Sequence, residues 1–168
     1  MKHLTLGLFV FWNLLIKSQT LNCTSNSLPL DSTSLIIGTN QVFCIDSVSN
    51  FIGSITCNGG IIINKGILSP IQLIFNSGKL INSGNLMIKE TLNVSSNVII
   101  ENSVGSQFNI SNADLIINAG HIINDGILNV NGNIQVVNGT LKNTNIVNCN
   151  HLNQSVGIEN NGIINSNQ

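Results

Sequence analysis

A strict six-residue repeat is the feature that most constrains the fold. The hexad has the form apolar-Asn-x-Gly-x-apolar, and its copies start at residues 63, 75, 81, 117, 123 and 159, always a multiple of six apart. Taking every sixth residue from Ile62 to Ile164 gives an aliphatic side chain at seventeen of eighteen positions, with Thr140 as the exception. With 42% apolar residues overall, chance predicts fewer than half. Neither an amphipathic helix nor an antiparallel β-sandwich of short strands explains this register.

The repeat predicts an all-β fold, a parallel β-solenoid over residues 60–168. Three hexads make one triangular turn of about 18 residues, so like residues stack in ladders at roughly 4.8 Å per turn. One predicted ladder is Ile62, Leu80, Val98, Ile116, Ile134 and Leu152. Glycines two residues before the aliphatic position, such as Gly66 and Gly84, are expected at corners because glycine accepts unusual backbone angles. A left-handed coil is favoured over a right-handed one.

The first twenty residues predict export. Lys2 and His3 precede an apolar run over 4–16 and a polar stretch over 17–20, the order of a secretory signal peptide. The run is too short for a spanning helix, so we expect a secreted mature chain without a membrane span. Residues 21–59 lack the hexad register and are expected to cap the N-terminal end of the solenoid against edge pairing.

All four cysteines lie after the signal, where an oxidising compartment permits disulfides. Cys44 with Cys57 is the preferred pair, and Cys23 is the rival partner of either. Cys149 is about five turns from Cys57, or roughly 24 Å, and is expected to be unpaired or intermolecular.

The composition argues against several functions. Six basic and seven acidic residues provide no patch for nucleic acid. His121 and His151 fall on different predicted ladders, so no metal site is expected. Asp114 and Asp125 fall on different edges, so we expect no paired-carboxylate hydrolase, no catalytic residue and no cofactor.

Two kinds of surface site remain. Ile63, Ile81, Ile99 and Ile117 follow inward aliphatics and form a candidate apolar contact stripe, unless they are buried or covered. Candidate glycosylation sequons begin at Asn22, Asn93, Asn109 and Asn153, with a further match at Asn138, and they matter only in a eukaryotic secretory pathway.

The hexads over residues 60–168 resemble the Asn/Gly-rich β-solenoid repeats of secreted adhesin-like surface proteins. That resemblance implies a rod-like secreted scaffold more firmly than it implies a ligand. The period is also similar to that of hexapeptide-repeat acyltransferases, but these usually have a small residue where this chain has Ile63 and Ile81, and they are normally cytoplasmic.

The leading hypothesis is therefore a non-catalytic structural or adhesive module of a cell surface or extracellular matrix, acting through self-association or through extracellular proteins or glycans. The alternative is a carbohydrate-binding module or a polysaccharide-active β-helix protein. Asn side chains suit sugar hydroxyls, but Trp12 within the signal is the chain's one Trp and Tyr is absent, which removes the usual stacking platforms.

Overall fold

The chain forms a parallel β-solenoid. The structure is a computed structural model that describes residues 34–49, 51, 53–154 and 157–167. In these residues every strand pairing is parallel, there is no helix, and hence no helix that could cross a membrane. The coils stack about seven high, which confirms the predicted fold class. Handedness stays a prediction.

Three sheets form the faces of the coil. Face A contains β1 (Ser34–Gly38), β2 (Val42–Ile45), β3 (Ser54–Asn64), β5 (Gln72–Asn82), β8 (Val98–Asn102), β11 (His121–Asn124), β14 (Thr140–Asn143) and β17 (Ile158–Asn160). Face B contains β4 (Ile67–Leu68), β6 (Asn85–Ile88), β9 (Gln107–Ile110), β12 (Ile127–Val130), β15 (Ile146–Cys149) and β18 (Ile163–Ser166). Face C contains β7 (Leu92–Val94), β10 (Leu115–Ile117), β13 (Ile134–Val136) and β16 (Leu152–Gln154). The long strands β3 and β5 each turn a corner, and their first halves continue face C towards the N-terminus.

The stacking begins before the predicted boundary at residue 60. Strand β1 pairs with the first half of β3, and β2 pairs with the second half. The described part of the predicted cap segment, from Ser34 onwards, is therefore already a coil of the solenoid. Residues 1–20, where a signal peptide is predicted, and residues 21–33 lie outside the described residues.

The predicted 18-residue ladder is wrong beyond Leu80. Leu80 stacks on Ile62 as expected, but its next neighbour is Ile100, and Ile100 stacks on Ile122. Successive coils are spaced by 18, 20, 22, 19 and 17 residues along face A. The extra residues lie at corners: the corner 103–106 is two residues longer than the corner at Ser83–Gly84, and Val104 in it is 82% exposed rather than inward.

The interior is apolar and mainly aliphatic, with Phe75 and Phe108 among its aromatic members, apart from Ser106 and one column of asparagines. On each face, two side chains that are two positions apart in the strand point inward. Leu86 and Ile88 on face B are an example, and both are fully buried. On face A the second of these inward residues is asparagine in six successive coils: Asn64, Asn82, Asn102, Asn124, Asn143 and Asn160. We call this column the inner ladder. Its first five members are at most 1% exposed.

Each of the first five amides of the inner ladder bonds to the next coil twice. The Nδ2 group of Asn82 donates to Asn102 Oδ1 at 2.8 Å and to the carbonyl of Gln107 at 2.9 Å. The Nδ2 group of Asn102 repeats the pattern with Asn124 Oδ1 at 2.7 Å and the carbonyl of Ile127 at 3.1 Å. Burying an amide is tolerable only when its polar atoms are bonded, and this repeat meets that condition in each successive coil. Among the described residues, Asn64 Oδ1 is the one buried side-chain oxygen or nitrogen without a hydrogen-bond partner. The residue beside it in the preceding coil is Ile45, which has no amide to donate.

Corner glycines are required by close contact between coils. A Cβ at Gly84 would collide with the carbonyl oxygen of Gly66 in the coil beneath, and one at Gly66 would collide with the carbonyl of Ser47. Neither glycine has a positive φ, whereas Gly78 does, with φ 118°. The sequence-based reason for corner glycines, unusual backbone angles, is thus wrong for Gly66 and Gly84, where the missing side chain is what matters.

The inner ladder gives a first prediction. Replacing Asn102 by Ala removes its bonds to Asn82, Asn124, Ser106 and the carbonyl of Ile127, and leaves buried polar groups unsatisfied. The free energy of unfolding should fall by about 3 kcal/mol. Urea denaturation, monitored by circular dichroism, measures this change in the free energy of unfolding. The exposed corner residue Asn118 is the matched control, and Asn118→Ala should change stability by less than about 0.5 kcal/mol. Equal losses in the two variants would contradict a stabilising inner ladder.

The corners give a second prediction. Gly84→Ala forces a methyl group against backbone and should destabilise the fold by about 2–3 kcal/mol. Gly105 has φ 79° but nothing within 4 Å of its Cβ position, so Gly105→Ala should cost only about 1–2 kcal/mol of backbone strain. Thermal unfolding compares the two. A larger loss for Gly105→Ala would mean that backbone angle, and not contact between coils, selects corner glycines.

Candidate functional site: an asparagine-lined groove

The side chains that could take part in catalysis or metal binding are spread over the solenoid. His121 lies on face A and bonds through Nδ1 to Thr140 Oγ1 at 2.7 Å, while His151 lies at the corner between faces B and C. Asp114 accepts a hydrogen bond from the backbone N–H of Asn133 at 2.7 Å, and Asp125 accepts one from Thr144 Oγ1 at 2.6 Å. Each carboxylate thus bonds to the following coil. Within the described chain no three His, Cys, Asp or Glu side chains group as metal ligands do.

The structure does not form the four-residue isoleucine stripe. Ile63 and Ile81 do stack side by side, but Ile81 is followed by Glu101 in the next coil. Ile99 stacks between Lys79 and His121, and Ile117 is fully buried on face C. The prediction is wrong because the corner insertions shift the register by two residues after Leu80. Glu101 instead forms an ion pair with Lys79 at 2.7 Å across this surface.

The preferred disulfide is also wrong. Cys57 is a free thiol that is fully buried, and its Sγ donates to the carbonyl of Gly60 at 3.3 Å. Cys44 lies beside Ile63, six residues further along β3 than Cys57, which corresponds to roughly 20 Å of strand. A disulfide requires Cα atoms within about 7 Å. Cys149 is also a free thiol, and Cys23 lies outside the described residues.

The candidate glycosylation residues lie on different surfaces. Asn93 and Asn153 are exposed on face C, and Asn138 is exposed at the corner that follows strand β13. Asn109 is half-buried on face B, where its amide bonds to neighbouring coils. Asn22 lies outside the described residues. Face C therefore offers accessible sequons, whereas Asn109 is half-buried and its amide is already bonded to both neighbouring coils.

Face B of the described chain contains a groove that is lined mostly by asparagines. It has a volume of about 710 Å³ and is lined mainly by two columns of polar residues, which are two residues apart along the chain. The first column, the outer ladder, contains Asn109, Asn129, Asn148 and Asn165, stacked in register after Met87. The second column, the rim, contains Ser111, Asn131, Asn150 and Asn167 at the following corner.

The outer ladder is held by amide–amide hydrogen bonds. Asn129 Nδ2 donates to Asn109 Oδ1 at 2.8 Å, Asn148 donates to Asn129 at 2.7 Å, and Asn165 donates to Asn148 at 2.8 Å. The direction is opposite to that of the inner ladder, where each residue donates to the next coil. In the rim, Asn150 Nδ2 donates to the backbone carbonyl of Asn131 at 2.5 Å.

These bonds leave half of each outer-ladder amide available. A primary amide has two N–H donors and a carbonyl with two lone pairs, and the internal links of the ladder use one of each. One donor and one acceptor per coil remain beside the groove, at the repeat of about 4.8 Å set by the stacked strands. No charged and no aromatic side chain lines it. The groove is a neutral, periodic array of paired donors and acceptors.

The groove was not predicted from the sequence. The sequence feature that could have revealed the groove is a row of asparagines spaced by 20, 19 and 17 residues: Asn109, Asn129, Asn148 and Asn165. Such a row is visible only after the corner insertions are placed, because a strict period of 18 puts these residues out of line. Comparison with protein-family models, with curated proteins and with solved structures finds no match for this chain.

The buried thiols give a third prediction. Burial raises the pKa of the Cys57 thiol and of the Cys149 thiol above the ordinary value, because desolvation disfavours the thiolate. The stability that the neutral, buried thiols provide is fully present below their unfolded-state pKa. It is lost as the pH rises through their folded-state pKa. Unfolding free energy should therefore decline above about pH 8.5, and the decline should be shallower in Cys57→Ala/Cys149→Ala. Urea titrations between pH 7 and 10 measure both slopes. Asn118→Ala, which keeps both thiols, should retain the steeper slope, and equal slopes would contradict the assignment.

Proposed function

We propose that this chain is a secreted, non-catalytic structural or adhesive module of a cell surface or extracellular matrix. The observation that carries the proposal is the use made of its polar side chains. The inner ladder, the outer ladder, Asp114, Asp125 and His121 all bond from one coil to the next. Side chains that could act on a substrate are instead used to join coils, as expected for a rigid rod.

The shape of the rod also supports an adhesive role. Seven coils are separated by six spacings of about 4.8 Å, so the stack is roughly 29 Å long, and the outer ladder repeats the same amide along face B. A repeating surface can contact a repeating partner at several points, so weak contacts add up to useful affinity. The secretory signal peptide predicted over residues 1–20 would deliver such a rod to the outside of the cell.

The fourth prediction tests this function. The tagged mature chain, incubated with cells or matrix of the organism that produces it, should be retained on the surface and should release no soluble sugar. Retention is measured by fluorescence, and release by a reducing-end assay. Release that disappears in Asp114→Asn or Asp125→Asn would show a polysaccharide-active enzyme and contradict the proposal. A chain that stays in solution and is not retained would contradict the adhesive role.

A further inference from the structure

We infer that the groove on face B binds a linear, uncharged polysaccharide whose chain runs along the solenoid axis. This inference rests on the proposed adhesive role and names the partner of the groove. The first argument is charge. None of the residues that line the groove carries a charge, so it has no group to neutralise a phosphate, a sulfate or a uronic acid. An anionic polymer would lose hydration there without gaining an ion pair.

The second argument is hydrogen-bond chemistry. Each outer-ladder amide presents one free N–H donor next to one free carbonyl lone pair. A hydroxyl group both donates and accepts, so a hydroxyl-rich partner matches this array and an aliphatic chain does not. The rim adds the exposed amides of Asn131 and Asn150, each two residues after an outer-ladder asparagine. The polar strip is thereby widened to two groups per coil.

The third argument is spacing. The outer-ladder amides recur at about 4.8 Å along the axis, which is close to the length of one pyranose unit in an extended polysaccharide. The four asparagines therefore span about four sugar units. At the N-terminal end of the column, Met87, 38% exposed, replaces the amide and ends the array with an apolar contact. A polymer lying across the axis would meet only one coil and lose this match.

The absence of aromatic side chains from the lining sets the expected strength. Sugar sites without a stacking ring rely on hydrogen bonds that compete with water, so each contributes little on its own. Binding should therefore be weak for a short oligosaccharide and should strengthen with chain length up to about four units, after which the groove is filled.

The fifth prediction is a binding experiment on the full chain with two matched double variants. Asn131→Ala/Asn150→Ala removes two exposed rim amides and leaves the hydrogen bonds of the outer ladder intact, so we expect the fold to be retained. Asn93→Ala/Asn153→Ala removes two exposed amides from face C. The probes are insoluble cellulose, chitin and β-1,3-glucan, with polygalacturonate as the charged polymer. We expect saturable retention on at least one neutral polymer, weakened at least fivefold by the rim variant and less than twofold by the face C variant.

The outcomes separate the groove from the adhesive role. Retention of the wild-type chain on none of the neutral polymers, stronger retention on polygalacturonate, or equal loss in the two variants would overturn the groove assignment. If the wild type adheres to cells and the rim variant is retained on the neutral polymers like the wild type, the adhesive role stands and the polysaccharide groove is wrong. If the wild type forms dimers that the rim variant abolishes, the groove binds a second copy and the inference is wrong. Analytical ultracentrifugation measures that last case.

Discussion

The hydrogen bond from one buried asparagine to the next is the interaction on which the rest of the structure depends. Aliphatic side chains favour stacking but tolerate a coil that slips along its neighbour, because one isoleucine packs on another at many offsets. An amide in the same interior must meet its partner within hydrogen-bond distance or remain unsatisfied, at a cost of about 1–3 kcal/mol. The inner ladder from Asn64 to Asn160 therefore fixes the register of face A coil by coil.

This constraint explains how coils of unequal length can share one lattice. Because the faces are held in register, additional residues are displaced into corners, as at Ser103–Ser106 and at Asn112, which has φ 59°. The hydroxyl of Ser106 donates to Asn102 Oδ1 and thereby connects its corner to the inner ladder. The strands of face B stay aligned as a result, and the outer ladder can form along them.

The sequence predicts the architecture well and the surface poorly. The hexad identifies a parallel solenoid, and residues such as Leu68, Leu86 and Leu128 are buried as expected. Each asparagine of the inner ladder is visible in the sequence, but Asn82 points inward while Asn76, in the same hexad position of the preceding copy, is exposed. Which face a hexad occupies decides that difference, and a period of six cannot supply it.

The same missing information explains the other errors. The isoleucine stripe assumed that Ile81 would be followed by Ile99, but the coil from Asn82 to Asn102 is two residues longer than the coil before it and brings Glu101 there instead. The Cys44–Cys57 pair is wrong because Cys44 lies beside Ile63, six residues further along β3 than Cys57. Both depend on corner lengths, which follow from contacts between coils and not from the repeat itself.

Amide hydrogen exchange and nuclear Overhauser contacts of the asparagine side chains test the central claim most directly. The account predicts slowly exchanging Nδ2 hydrogens for Asn82, Asn102 and Asn124, with contacts that connect them in that order across spacings of 20 and 22 residues. Rapid exchange at these side chains, or contacts that follow a strict 18-residue spacing instead, would contradict it.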